Sequence, residues 1–167
     1  KGIKLRVPFV LGGMGSTNVA KQNWEGLAGG AALSGTILTV GENVCAMDEE
    51  SVIKNGKIVR SPDMETRIGL YRKWQEDGYG TVVVQANVED TRLGVQEYAI
   101  NKLGVEAVEL KWGQGAKDIG GEVKIKSLAK AQELKKEGTS SSPTRKTRTS
   151  SRLSRRVASR SSNGILG

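Results

Sequence analysis

Two lysines and a carboxamide lie close together in a glycine-rich segment, as Lys111, Gln114 and Lys117. The apolar run over 105–110 predicts a buried strand that ends at Lys111. An ammonium at the end of a buried strand needs a partner, because an isolated buried charge is costly. The intervening glycines allow the backbone to approach a ligand closely. The segment therefore predicts a pocket for an anionic group, and a surface loop with two solvated lysines explains the same residues equally well.

The elements that would position this segment alternate between strand and helix. Valine-rich strands with no polar face, joined by short loops, indicate a parallel α/β architecture. Four such units are half of an eight-fold barrel, so the pattern favours a partial (β/α)8 TIM barrel, about its first four β/α units, followed by a disordered basic tail. The predicted strands cover 5–11, 36–40, 81–86 and 105–112, and the predicted helices cover 19–33, 62–78, 94–103 and 127–138.

Residues that could bind a ligand or take part in a reaction follow each predicted strand. Ligands of parallel α/β folds bind at the carboxyl ends of the strands, so these side chains are expected to share one edge. No G-x-G-x-x-G follows the first strand, which argues against a Rossmann dinucleotide site. The candidates are Met14, Gly15 and Ser16 after the first strand, Glu42 after the second, Gln85 at the third and Lys111 at the fourth.

Composition narrows the function classes. The chain has 26 basic and 18 acidic residues, and seven of the basic ones lie in 139–167, which leaves the body nearly neutral. The body thus gives no electrostatic indication of a nucleic-acid partner. A lone cysteine, Cys45, provides no disulfide, zinc or iron–sulfur ligand set, so no metal site is expected. The absence of histidine excludes imidazole catalysis. With no secretory signal or membrane span in view, the cytoplasm is the expected compartment.

The Ser/Thr/Arg-rich tail, residues 139–167, differs sharply from the body. Its composition is typical of a disordered segment that binds nucleic acid. A frameshift near Gly138 offers a second explanation. When codons are chosen for the tail and moved by one base, the new frame encodes an apolar strand, a Pro/Asp turn and an amphipathic helix, where the next β/α unit is due. We therefore expect a truncated domain over 1–138 and an out-of-frame tail.

Three motifs together resemble a known family. They are Gly13-Met14-Gly15-Ser16, Gly41-Glu42-Asn43, and Lys111-x-x-Gln114-Gly115-Ala116-Lys117 followed by Gly120-Gly121. Residues 5–138 are similar to the FMN-binding central domain of the glutamate synthase large subunit, particularly the stand-alone archaeal-type proteins. The weaker match over 92–98 resembles the segment that precedes the family's lysine strand.

The resemblance implies an oxidoreductase of glutamate biosynthesis and ammonia assimilation. Such a domain is a β/α barrel that holds FMN and reduces 2-iminoglutarate, formed from 2-oxoglutarate and ammonia, to L-glutamate. The implied partners are an ammonia-supplying amidotransferase subunit and an electron-donor subunit or ferredoxin, with no membrane. The iron–sulfur cluster of the full-length relative would have its cysteines beyond this chain.

Site roles follow from the resemblance residue by residue. Lys111 would lie beside the flavin N1–O2 edge, where a cation favours negative charge on the reduced ring. The implied flavin contacts are Met14, Gly15, Ser16, Gln85, Lys111 and Gln114. The implied catalytic residues are Lys117, Gln114 and Glu42. The implied substrate contacts are Lys117, Gly120, Gly121 and Glu122.

The sequence departs from the family pattern at one position, and two alternative functions stay open. Glu122 stands where the larger enzymes carry a glutamine next to substrate, so the substrate is less determined than the cofactor. Another FMN barrel, such as a 2-hydroxy acid oxidase or an IMP dehydrogenase-like protein, would need a catalytic histidine or cysteine late in the barrel. A non-enzymatic protein would use the basic tail to bind nucleic acid. As a half barrel, the chain is expected to be inactive alone.

Other conspicuous residues are assigned structural roles. All three tryptophans are expected in the core. Cys45 is expected to be inert. The acidic run over 48–50 is expected to be solvated surface. Asn18 is expected to cap the first helix.

Overall fold

A four-stranded parallel sheet is the central element of the structure. The computed structural model describes residues 2–112 and 127–136. The parallel α/β class predicted from the sequence is confirmed. In chain order the described elements are β1 (Val10–Met14), α1 (Asn18–Leu33), β2 (Ile37–Val40), α2 (Val44–Met47), β3 (Val52–Lys54), β4 (Lys57–Arg60), α3 (Pro62–Trp74), β5 (Thr81–Ala86), α4 (Val88–Leu93), α5 (Val95–Asn101), β6 (Ala107–Leu110) and α6 (Leu128–Lys136).

The sheet order β1-β2-β5-β6 places β5 between β2 and β6. Every neighbouring pair is parallel, with Val40 opposite Val84 and Ala86 opposite Leu110. Helices α1, α3 and α5 pack on one face of the sheet. The apolar core lies between them and includes Trp24, Ala28, Leu38, Val40, Ile68, Tyr71, Val82, Val84, Ala99 and Val105. Because side chains alternate along a strand, the residues between these core positions of β2 and β5 face the opposite side of the sheet.

The first strand begins later than the sequence predicted. The apolar run 5–11 is mostly exposed, and Phe9 retains 56% of its surface. Pro8 has no backbone N–H and so cannot continue a ladder of hydrogen bonds. Pairing therefore starts at Val10, opposite Ile37, and runs through the glycines to Met14 with an irregular register.

Helix starts were predicted correctly for α3 and one residue late for α1. Ser61 caps α3 through its side chain, and Pro62 occupies the first turn. At α1 the cap is Thr17, whose hydroxyl accepts from the Ala20 amide, so the assignment of the cap to Asn18 is wrong. Thr17 has extended backbone angles, which suit a capping residue, while Asn18 is already helical.

An antiparallel hairpin of β3 and β4 was not predicted. Its turn is Asn55-Gly56, and both residues have positive φ values, 52° and 71°. An Asn-Gly pair between short apolar runs is a strong hairpin signal, because a type I′ turn requires positive φ at both central residues. The information was present in the sequence.

The helix predicted over 94–103 is present as α5, and a second helix, α4, directly precedes it. Gly94 adopts the left-handed conformation, with φ of 70°, and separates α4 from α5. A glycine with this backbone geometry ends one helix, because the chain leaves the helical path there. The segment 88–93, which was not predicted to be helical, forms α4.

Burial corrects three further predictions. Trp24 is 2% exposed, as expected for a core residue, but Trp74 is 40% exposed and Trp112 is 79% exposed. Asp48 is buried rather than solvated, because its carboxylate accepts hydrogen bonds from the Ser61 hydroxyl and the Asp63 amide at the start of α3. It offsets the positive end of the helix dipole there. Glu49 and Glu50 are exposed, as predicted.

Within the described ranges, no helix has both the length and the apolar character needed to cross a bilayer. The predicted domain boundary at Gly138 and the tail lie outside the described residues.

Candidate functional site

The carboxyl ends of β1, β2, β5 and β6 meet at one edge of the sheet, as the sequence predicted. Backbone hydrogen bonds continue the ladders beyond the strands, from Gly41 N–H to the Met14 carbonyl and from Lys111 N–H to the Ala86 carbonyl, each at 2.9 Å. The predicted residues Met14, Glu42 and Lys111 are therefore fixed at neighbouring positions by the sheet. We call this region the carboxyl edge.

An ion pair joins two of the predicted residues across the end of β5. The Lys111 ammonium lies 3.4 Å from the Glu42 carboxylate, with side-chain exposures of 36% and 18%. Because β5 lies between β2 and β6, the two chain segments are about 10 Å apart and only the side chains close that gap. A half-exposed pair of this kind contributes little stability, about 0–1 kcal/mol, so an anionic ligand can compete for Lys111 at small cost.

Glycines bring the ends of β1 and β2 into direct backbone contact. A Cβ added to Gly41 would lie 2.6 Å from the Gly15 nitrogen and 2.7 Å from the Met14 carbonyl carbon. A Cβ added to Gly15 would overlap the Glu42 carbonyl oxygen. Such distances are impossible for a real side chain, so the two glycines are required for the loops to touch. Gly15 and Gly41 thus allow close approach between two loops.

Gln85 lies on the sheet face opposite the helices, one residue before the end of β5. Its side-chain amide donates to the Glu109 carboxylate at 2.7 Å, and the two residues are partners in the β5–β6 register. A Cβ on Gly13 would meet the Gln85 amide oxygen at 2.8 Å, so Gly13 provides the space that this side chain fills. Gln85 is thus near the carboxyl edge but already engaged.

Arg67 on α3 holds the end of β1 by hydrogen bonds to its backbone, and sequence reasoning did not identify this residue. Its guanidinium is 1% exposed and donates to the carbonyls of Met14 at 3.3 Å and Gly15 at 3.0 Å. The same group pairs with Asp63 at 3.2 Å and lies over the Trp24 ring, 4.7 Å from its centroid. An arginine on a helix that is otherwise typical of an amphipathic surface helix has no sequence signal for burial.

A second missed cluster joins the loops after β2 and β5. The Asp90 carboxylate accepts hydrogen bonds from two backbone N–H groups, that of Asn43 at 2.9 Å and that of Asn87 at 3.3 Å. Asn87 in turn caps α4, and its side-chain amide donates to the Asn43 side chain at 3.1 Å. The spacing Asn-x-x-Asp directly after a buried strand is a capping signal that could have located this cluster.

Burial decides the ionisation of two groups near this cluster. It raises the pKa of Asp90 to about 6, against the lowering effect of its backbone hydrogen bonds. It raises the pKa of the Cys45 thiol to about 12, although Ser61 lowers it by a hydrogen bond. A thiol with that pKa is not a nucleophile at neutral pH, in agreement with the inert role expected for Cys45.

The remaining predicted site residues divide into two groups. Met14, Gly15 and Ser16 are half-buried at the end of β1. Gln114, Lys117, Gly120, Gly121 and Glu122 lie outside the described residues, so their roles stay predictions. Over the two described ranges, no group of three or more cysteine or carboxylate side chains could hold a metal ion.

Comparison with protein families gives a match over most of the chain. The family described as a conserved region in glutamate synthase matches residues 1–153. This chain belongs to the glutamate synthase family. The family assignment made from the lysine and glycine motifs is confirmed, and the match extends beyond Gly138. Neither the curated proteins nor the solved structures contain a match to the chain. The glutamate synthase match spans the whole carboxyl edge.

Proposed function

We propose that the carboxyl edge forms part of an FMN site in a glutamate synthase-type oxidoreductase. The reaction would be reduction of 2-iminoglutarate, formed from 2-oxoglutarate and ammonia, to L-glutamate. In this proposal residues 1–138 are the first half of a β/α barrel, and this chain alone does not turn over. Membership of the glutamate synthase family supports the reaction class.

The observation that carries the proposal is the position of Lys111. Its ammonium stands at the carboxyl edge of a parallel sheet, where such folds bind their ligands, and it is 36% exposed. The opposing Glu42 carboxylate, at 3.4 Å, directs the ammonium across the end of β5. A cation held this way is available to a flat, electron-rich ligand.

The described residues fit one edge of a flavin. The pyrimidine part of the ring carries carbonyl oxygens that gain negative charge on reduction, and an ammonium stabilises that charge strongly where water is excluded. Met14, half-buried at the end of β1 on the same edge, offers a soft apolar contact to an aromatic ring. When bound, FMN would supply the hydride that reduces the imine carbon.

The chain's own residues would hold and orient the reactants. Lys111 would balance the negative charge of the cofactor, and Glu42 would set the direction of the lysine side chain. Gln114 would hydrogen-bond the cofactor or substrate. Lys117, with Gly120, Gly121 and Glu122, would hold a carboxylate of 2-oxoglutarate or its imine. An amidotransferase subunit for ammonia and a ferredoxin or electron-donor subunit are the proposed partners.

FMN titration of the full chain tests this proposal. Quenching of flavin fluorescence should report binding by the wild-type chain. Lys111→Met should weaken binding by about 10- to 150-fold, since a hydrogen bond to a charged group contributes about 1.5–3 kcal/mol. Lys102→Met is the matched control. It removes the same charge from the exposed carboxyl end of α5, which leads into the start of β6, at the edge of the sheet opposite the carboxyl edge. Absence of flavin binding by the wild type, or equal loss in both variants, would overturn the assignment.

A further inference from the structure

We propose that Asp90 is a positioning residue that fixes the Glu42–Asn43 turn and thereby holds Glu42 against Lys111. The inference rests on the proposed function, because it assigns a purpose to the ion pair at the carboxyl edge. It adds a residue that contacts neither the cation nor the predicted ligand space. Its evidence is the geometry of two loops joined by one carboxylate.

One Asp90 oxygen joins the ends of two neighbouring strands. Oδ2 accepts the Asn43 N–H at 2.9 Å in the loop after β2, and the Asn87 N–H at 3.3 Å in the loop after β5. The Asn87 side chain adds a third link, from Nδ2 to the Asn43 Oδ1 at 3.1 Å. Asn43 directly follows Glu42, so these bonds determine where the Glu42 backbone lies relative to β5 and β6.

The turn itself requires support from outside. Asn43 has φ of 65° and ψ of 10°, in the left-handed region, which asparagine tolerates better than most residues with a side chain. It stands at the start of α2 but makes no capping hydrogen bond with its side chain. The turn is held instead by the Asp90 carboxylate, which accepts from the Asn43 backbone N–H, and by the Asn87 side-chain amide, which donates to Asn43 Oδ1.

The charge on Asp90 acts on Glu42 in addition to these hydrogen bonds. The carboxylate is 1% exposed, and its Oδ1 has no hydrogen-bond partner. The titratable groups that face it are Glu42 after β2, Glu89 on α4 and Cys45 on α2. When ionised, Asp90 repels the Glu42 carboxylate, which pairs with the Lys111 ammonium at 3.4 Å. A neutral acceptor would hold the turn without this repulsion.

Zero-length cross-linking of the flavin-free full chain tests the proposal. A carbodiimide should join Glu42 to Lys111, and mass spectrometry of the digest gives the yield. Asp90→Ala should lower this yield by about tenfold, the change expected on loss of a hydrogen bond to a charged group. Asp90→Asn keeps one acceptor oxygen and should recover part of the yield. Glu49→Gln removes an exposed carboxylate from the loop after α2 and should leave the yield unchanged.

An internal cross-linking control and an NMR titration accompany this experiment. The Lys130–Glu133 pair on α6, at 3.1 Å, gives an internal cross-link that should not change in any variant. In the wild type, the Asn43 amide resonance should shift with pH with a midpoint near 6, as Asp90 ionises. An unchanged Glu42–Lys111 yield in Asp90→Ala would overturn the positioning role. Since flavin is absent throughout, failure here is separate from failure to bind FMN.

Discussion

Removal of the buried Arg67 guanidinium is the most demanding test of how the carboxyl edge is held. Arg67→Met keeps most of the apolar length of the side chain and removes its charge and donors. Asp63, whose side chain is 12% exposed, then loses its closest cation, and the carbonyls of Met14 and Gly15 lose a donor. The variant thus separates the charge of Arg67 from its packing.

The expected loss is about 3–5 kcal/mol of unfolding free energy, the cost of leaving one member of a buried ion pair unpaired. Lys21, at 3.8 Å from Asp63, is too exposed to replace the guanidinium, with 64% of its side chain accessible. Because domains of this size are stable by about 5–15 kcal/mol, the variant should lose a large part of its stability.

Urea unfolding followed by tryptophan fluorescence measures the loss. Arg72→Met is the matched control. Arg72 also lies on α3 and also donates to two carbonyls, those of Leu103 and Gly104, but it is exposed. It should cost only about 0.5–1.5 kcal/mol. The double variant Asp63→Asn with Arg67→Met should recover stability relative to Arg67→Met, since no buried carboxylate is left unpaired. Equal losses for the two arginines would refute the reasoning.

Two further predictions concern the glycines and Asp90. Gly41→Ala should force the ends of β1 and β2 apart and lower both the melting temperature and flavin affinity, because its Cβ would meet backbone atoms at 2.6–2.9 Å. Gly30→Ala in α1, where a Cβ meets nothing within 4 Å, should instead stabilise by about 0.5–1 kcal/mol, and thermal unfolding compares the two. Burial raises the pKa of Asp90 from 3.8 to about 6, so the native state keeps a proton that the unfolded chain releases. The contribution of Asp90 to stability should therefore fall by about 3 kcal/mol in all between about pH 3 and pH 7, and urea unfolding of Asp90→Asn should lack that decline.

Local pattern was sufficient for much of the fold and for placing Glu42 and Lys111 at one edge of the sheet. Valine-rich strands, the Ser61-Pro62 helix start and the residues after each strand are short-range signals. They predicted four parallel strands and placed Glu42 and Lys111 at one edge, where the structure brings their side chains within 3.4 Å. The Asn55-Gly56 turn was equally readable from neighbouring residues and was overlooked.

Tertiary contacts decided the rest. Whether Phe9 or Trp112 is buried depends on what packs against it, and both are exposed although their types favour the core. The roles of Arg67 and Asp90 depend on partners 43 to 53 residues away in the chain, such as the Asn43 amide and the Met14 carbonyl.

The sequence by itself determined the family, the α/β class and the edge at which the chemistry is expected, because periodicity and motif spacing are local properties of the chain. Only the folded structure decided how that edge is held. Backbone N–H and C=O groups are the same in nearly every residue type, so the carbonyls that accept from Arg67 and the Asn43 N–H that donates to Asp90 were visible only once the strands had come together.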